Sequence, residues 1–206
     1  MAGSLRGWSL RAAAFVAVAG AALAAGAPTA SAATTATVGC TTRTVAQKFQ
    51  SVDGDSNNYF TAPGGTFESG APGWTLTNTW LGSGWGNDPY HVDGAGSSLL
   101  FLNSGGSALS PIFCNQLGEG SLRFFFAGGA GARVHLHIDA TNDTGGNVST
   151  LDWEMPVPDN GGWVSYKGIQ MPYLYSGNYE NVQLRFTAIN NWAVIDDVEI
   201  DPWRSL

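Results

Sequence analysis

The sequence predicts an all-β fold, an antiparallel sandwich, and three observations predict it. Apolar and polar residues alternate along several short segments. Clusters of Gly, Pro, Asn, Asp and Ser separate those segments. No stretch of ten or more residues beyond the first 32 keeps helical spacing. Composition agrees: only 12% of the chain is charged and 28 residues are glycine, whereas surface helices carry Glu, Lys and Arg on their wet faces.

Residues 1–32 read as a secretory signal peptide. Arg6 and Arg11 give a short basic start, Ala12 to Gly26 is a run of small apolar residues, and Ala30-Ser31-Ala32 is an A-x-A-like cleavage site. The run is too short to span a bilayer, so the expectation is a secreted chain without membrane insertion. Cleavage would leave 174 residues, enough for one domain with a core of its own. It would remove two arginines and no acid, moving the net charge from −7 to −9. That charge argues against nucleic acid and anionic lipid as partners. Residues 33–45, rich in Thr and Ala, are expected to form a flexible N-terminal arm, and 46–206 the β-sandwich domain. Cys40 and Cys114 are the two cysteines of the chain, and neither has a neighbouring histidine or a CxxC partner. In an exported chain they read as a structural disulfide, which would contribute ~4 kcal/mol for a loop of that length.

Within the domain the expected strands are GWTLTNTW (73–80), SSLLFLN (97–103), SLRFFFA (121–127), RVHLHID (133–139), VQLRFTA (182–188) and WAVIDDVEI (192–200), with weaker candidates near 148–154 and 162–166. The turns are PGG at 63–65, GSGWGNDP at 82–89, NSGG at 103–106, NDTGG at 142–146 and PDNGG at 158–162.

Two acidic positions stand out. In the last strand, alternation places Trp192, Val194, Val198 and Ile200 on one face with Asp196 among them. A carboxylate in an apolar row is costly unless it is hydrogen-bonded, paired or bound to a metal. Glu68, set between Phe67 and a glycine turn, is the candidate for the same site, while Phe67, Trp74 and Trp192 are expected in the core.

GGTFESGAPGW (64–74) resembles the N-terminal FE-x-G…GW signature of jelly-roll carbohydrate-binding modules, and VIDDVEI (194–200) resembles the IDDV strand with which they end. The resemblance to this galactose-binding-like superfamily implies a jelly-roll sandwich whose first and last strands lie together. It also implies a structural Ca2+ held by an acidic residue of the first segment and an aspartate of the last strand. Carried onto this chain, these are Glu68 and Asp196, with Asp197 in its place if a bulge reverses the register. Oxygen donors beside a glycine-rich turn suit calcium; the same groups read equally as hydrogen-bonded turn residues. The PGG-x-FE, SALSP-x-x-C and IDDV segments also resemble secreted bacterial proteins of unassigned function, a likeness that implies location and fold.

HLHID (135–139) puts His135, His137 and Asp139 on one strand face, as a zinc site would need. A solvent-facing polar strand looks the same, and the remaining histidine, His91, lies far along the chain. No GxSxG motif or recognisable triad is present. Asp88, Asp93, Asp139, Asp152, Glu154 and Glu180 offer carboxylate pairs, as any acidic domain does. No catalytic residue is assigned. Trp80, Trp85 and Tyr90 crowd one turn-rich segment, Tyr173 and Tyr175 another, and Trp153 sits in a polar strand. Aromatic rings stack on the apolar faces of sugars, so these six are the expected ligand-binding residues unless long loops bury them. The resemblance implies a secreted, non-catalytic module for a neutral polysaccharide or cell-wall glycan. An exported structural or protein-binding factor, and a small secreted hydrolase, are the alternatives.

Overall fold

The computed structural model describes residues 34–38, 41–83, 88–116, 120–142, 148–158, 161–172 and 179–202, which fall within one unit, Ser31–Leu206. The chain runs through β1 (Thr34–Val38), β2 (Thr41–Val45), the single-turn α1 (Gln50–Asp53), β3 (Phe60–Thr61), β4 (Thr75–Ser83), β5 (Ser98–Leu109) and β6 (Phe113–Gln116). It continues through β7 (Ser121–Gly128), β8 (Arg133–Asn142), β9 (Val148–Pro156), β10 (Val164–Gln170), β11 (Tyr179–Ile189) and β12 (Ala193–Asp201). Each alternating segment of the sequence lies within one strand except for Gly73, Trp74, Ser97 and Trp192, which fall just outside, and most residues of both weaker candidates lie in strands too.

Every strand pairing is antiparallel, and β3 to β12 share one hydrogen-bonded network. Two layers arise because β4 and β5 are long enough to serve both. The first half of β5 pairs with β12 through Leu100–Leu102, and its end pairs with β11 through Ser107–Leu109. The first layer therefore runs β10-β7-β12-β5-β4, and the second β4-β5-β11-β8-β9 with β6 on β11. The layers meet where Phe124 of β7 packs edge-on against Phe186 of β11, ring centroids 5.0 Å apart. This is the jelly-roll sandwich, with a core of inward residues from both layers.

The crossing point of β4 and β5 depends on a glycine. The β4–β5 register shifts between Thr77 and Thr79, with Asn78 in the left-handed region. A Cβ on Gly106 would stand 2.4 Å from the Asn78 carbonyl oxygen. Gly106→Ala is expected to destabilise the fold by about 1–3 kcal/mol, the usual range for forced overpacking. A urea titration checks it.

In β12 the structure corrects the sequence expectation. A bulge between Asp196 and Glu199, with Asp197 at φ 45°, separates the supposed single row. Ala193, Ile195, Val198 and Ile200 enter the main core, while Val194 belongs to a second cluster on the other side of the layer. Asp196 therefore does not share a face with Val198 and Ile200. Trp192 is not in the main core either; it is half-buried and packs against that second cluster. The segment 62–65 docks at the bulge: Ala62 N–H donates to the Val198 carbonyl, and Val198 N–H to the Gly65 carbonyl. Phe67 and Trp74 then fill the core in edge-to-face contact, and the Trp74 indole N–H donates to the Pro63 carbonyl at 2.8 Å. Two aromatic anchors thus hold the turn that presents Glu68.

Residues 33–45, expected as a flexible arm, include the β1–β2 antiparallel pair. Arg43 is buried there, its guanidinium 4.1 Å from the Phe60 ring and donating to the Cys114 carbonyl. Among the described residues no cysteine is free; Cys40 lies outside them. No described helix is long and apolar enough to cross a membrane.

Candidate functional site

The outer face of the first layer carries two features: an acidic cavity and a row of aromatic rings. The cavity, about 50 Å³, is lined by Glu68, Asp88, Asp93, Asp196, Asp197 and the turn Gly94–Gly96. Glu68 comes from the turn after Phe67, Asp88 and Asp93 from the β4–β5 connection, and both remaining aspartates from the β12 bulge. Glu68, Asp196 and Asp197, singled out from the two ends of the domain, thus line one cavity. Asp88 and Asp93 join them, although the sequence offered both only as generic surface acids.

Backbone groups hold one oxygen of most of these carboxylates. The Ser97 and Ser98 N–H groups donate to Glu68 Oε1, each at 2.8 Å. Tyr90 and His91 N–H donate to Asp88 Oδ1, and Asp197 N–H to Asp196 Oδ1. Asp197, 5% exposed, receives no side-chain hydrogen bond among the described residues. Burial, and then the charge of Asp197, pushes the Asp196 carboxyl up to about 9. Burial, Asp93 and Asp88 push Asp197 up to about 8. Burial raises Asp88 as well.

One cation stands at the edge. Lys48 pairs with Asp93 and, at 2.9 Å, with Glu199, while Thr61 Oγ1 donates to the Asp93 carboxylate. Burial alone would raise Asp93, but Glu199 and Lys48 hold it below the usual carboxylate range. Asp93 thus has Lys48 as a counter-charge, whereas Glu68, Asp88, Asp196 and Asp197 have no cation paired with them among the described residues. An oxygen-only donor set with surplus negative charge fits a hard cation such as Ca2+. As placed, no group of three or more His, Cys, Asp or Glu side chains among the described residues could hold a metal ion.

The aromatic row crosses three neighbouring strands. Trp80 of β4 lies opposite Phe101 of β5, ring centroids 4.3 Å apart and planes within 18°. Phe101 stacks in turn on Trp192, just before β12, at 5.5 Å and 15°. Because each ring covers its neighbour, the end ring keeps an open face. Trp80 is 46% exposed, and it and Ile112 are the large hydrophobic side chains left exposed among the described residues. Beside the row, Asn103 Nδ2 donates to Asn78 Oδ1 at 2.9 Å.

The other expected ligand-binding residues fare differently. Tyr90, on the β4–β5 connection, stacks on Phe125 at 4.6 Å and is half-buried there. Trp153 is turned inward against the main core, and its indole N–H is buried without a partner. It sits opposite Leu136, an inward residue, in the β8–β9 ladder, so it is not an exposed platform. Trp85, Tyr173 and Tyr175 lie outside the described residues. Phe101 and Trp192 were missed as platform residues; the alternation in LLFLN, with Leu100 and Leu102 inward, carried the signal for Phe101.

No family model matches the chain. No curated protein matches it either. Solved structures do. A structure described as TmCBM61 in complex with β-1,4-galactotriose aligns over 66% of this chain and 94% of its own, at 15% identity and a TM-score of 0.43. The CBM22-1 xylan-binding domain of Paenibacillus barcinonensis Xyn10C aligns over 66% and 90%, at 15% identity and a TM-score of 0.44. The K1 cleaved adhesin domain of Lys-gingipain from Porphyromonas gingivalis W83 aligns over 66% and 94%, at 16% and 0.41.

The HLHID motif occupies the outer face of the second layer. His135, His137 and Asp139 of β8 are half-exposed or exposed; both histidines meet Asp152 of β9, and His137 also meets Asp139. Hydrogen bonding to Asp152, despite some burial, and to Asp139 raises His137 above its usual value.

Proposed function

We propose that the chain is an exported, non-catalytic module that binds a neutral polysaccharide at the Trp80 end of the aromatic row. A structural Ca2+ sits in the acidic cavity, and a Cys40–Cys114 disulfide closes the fold. The exposed face of Trp80 is the observation that carries this reading. A ring held upright by Phe101 and Trp192 is ordered before any ligand arrives, so stacking on it costs little side-chain entropy. The Asn78–Asn103 amide pair on the same two strands supplies donors and acceptors for hydroxyl groups. The row itself is built of uncharged residues on an acidic chain, which suits a neutral polymer better than an anionic one. Export rests on the basic start and apolar run of residues 1–32.

Affinity electrophoresis against a panel of neutral polysaccharides tests the reading. The expected outcome is retardation by at least one of them, weakened about tenfold, or ~1.4 kcal/mol, in Trp80→Ala. The variant should keep the wild-type melting temperature within a degree or two, because Trp80 lies at the surface. Retardation by none, or retardation unchanged in Trp80→Ala, would reject the platform.

A further inference from the structure

On the outer face of the second layer, the third ligand that HLHID lacks along its own strand comes from the neighbouring one. β8 and β9 pair with His137 opposite Asp152 and His135 opposite Glu154. Asp152 Oδ1 lies 2.9 Å from His135 Nε2 and 2.8 Å from His137 Nδ1. The far nitrogen of the same ring, His137 Nε2, lies 3.0 Å from Asp139 Oδ1. All four side chains reach solvent, from 26% exposure at His137 to 56% at Asp152.

Two imidazole nitrogens and a carboxylate converging from adjacent strands form the donor set of a borderline divalent ion with open water positions. Asp139 adds what such sites require beyond their ligands. By accepting a hydrogen bond from His137 Nε2–H it fixes the ring orientation and leaves Nδ1 as the metal-binding nitrogen. As they stand, the donors are closed on one another by hydrogen bonds, and no group of three or more His, Cys, Asp or Glu among the described residues is placed to hold a metal ion. Tetrahedral ligands about 2.0–2.1 Å from zinc stand roughly 3.3 Å apart. Opening the two histidine–Asp152 contacts from 2.8 and 2.9 Å therefore takes about half an ångström, on partly exposed side chains.

We propose that His135 Nε2, His137 Nδ1 and Asp152 form a surface site for one divalent transition-metal ion, zinc above all, with Asp139 orienting His137. The ion displaces the imidazole protons that now bridge to Asp152, and water fills the remaining positions. Its structural effect is to clip β9, the edge strand of the second layer, to β8, adding to the ladder hydrogen bonds and the Arg133–Glu154 ion pair that already join them. Nitrogen donors separate this site from the oxygen-only acidic cavity of the other layer, and it stands whether or not the chain binds a polysaccharide.

The test titrates the full chain with Zn2+ by calorimetry, and with Co2+ by visible absorption, in saturating Ca2+. One ion per chain is expected, with Co2+ bands of low coordination number and a raised melting temperature. His135→Ala and His137→Ala should each weaken binding at least 100-fold. Asp139→Asn should weaken it by about 10-fold or more, and Asp196→Asn, in the other layer, should leave the Zn2+ affinity unchanged. If an alanine variant does not fold, the corresponding glutamine variant is read in its place. Absence of stoichiometric uptake, uptake that survives loss of both histidines, or uptake lost in Asp196→Asn each overturns the proposal.

Discussion

Arg123→Ala is expected to lower stability by about 3–5 kcal/mol, the cost of breaking a buried ion pair from one side. For a chain of this size that is a fall of roughly 10 °C in melting temperature. Arg123 is 1% exposed on the outer side of β7 and satisfied in every direction. Nη2 bonds Asp53 at 2.6 Å, Nη1 bonds Asp55 at 2.9 Å, Nε donates to Ser165 Oγ, and the guanidinium lies 3.6 Å from the Phe49 ring. These contacts clamp α1 and the segment after it over Phe125, where Phe49 and Tyr59 complete a third apolar cluster. Loss of the clamp frees that cover and, with it, Lys48, which holds Asp93 at the cavity.

The reverse substitution should be far milder. Asp53 is more exposed than Arg123 and also pairs with the exposed Lys167; Asp53→Asn is expected to cost no more than about 1 kcal/mol, as partly solvated pairs do. Thermal melts of both variants check the asymmetry. A melt of Arg123→Ala within a degree of wild type would mean that the segment is held by its apolar contacts alone.

The fold was legible where one face of a strand is wet. β8 and β11 alternate strictly and were read correctly down to the side chains that turn inward. β12 was not, because both of its faces are buried and a period of two leaves no mark when nothing is exposed. Its bulge is a backbone event at Asp197, and IDDV reads as alternation unless the left-handed residue is known. The aromatic expectations failed for a related reason. Trp153 and Tyr90 sit in polar sequence, but strand partners and covering loops decide burial, and those contacts are long-range. Trp80 and Phe101 meet only through the β4–β5 register. The carboxylates were half legible: Glu68 and Asp196 each looked out of place locally, whereas Asp88 and Asp93 looked ordinary until the connection carrying them folded over the layer.

In chelator, stability is expected to fall as pH rises from about 5 to 8, and added Ca2+ should abolish most of that fall. The sign follows from the two bulge aspartates. Asp196 and Asp197 titrate near 9 and 8 in the folded chain, against an ordinary value of 3.8. Between those limits the unfolded chain releases both protons and the folded chain keeps them, so each carboxyl subtracts up to about 1.4 kcal/mol per pH unit. Carboxylates held low, such as Asp53 and Asp93, are ionised in both states across this window and contribute no slope. The raised His137 adds a loss in the same direction near neutrality, but it lies on the other layer and does not respond to calcium. A dication supplies the charge that the cavity lacks, favours the ionised aspartates, and releases protons as it binds. At 100 times its dissociation constant it adds about 2.7 kcal/mol. Asp196→Asn separates the causes: it should stabilise the chelated protein at pH 8 by removing one uncompensated titration, and it should also remove most of the response to calcium. Melts at pH 5 and 8, with and without Ca2+, measure all of this. A chelated protein equally stable at both pH values, or an Asp196→Asn variant that calcium still stabilises in full, would show that these carboxylates do not hold the ion.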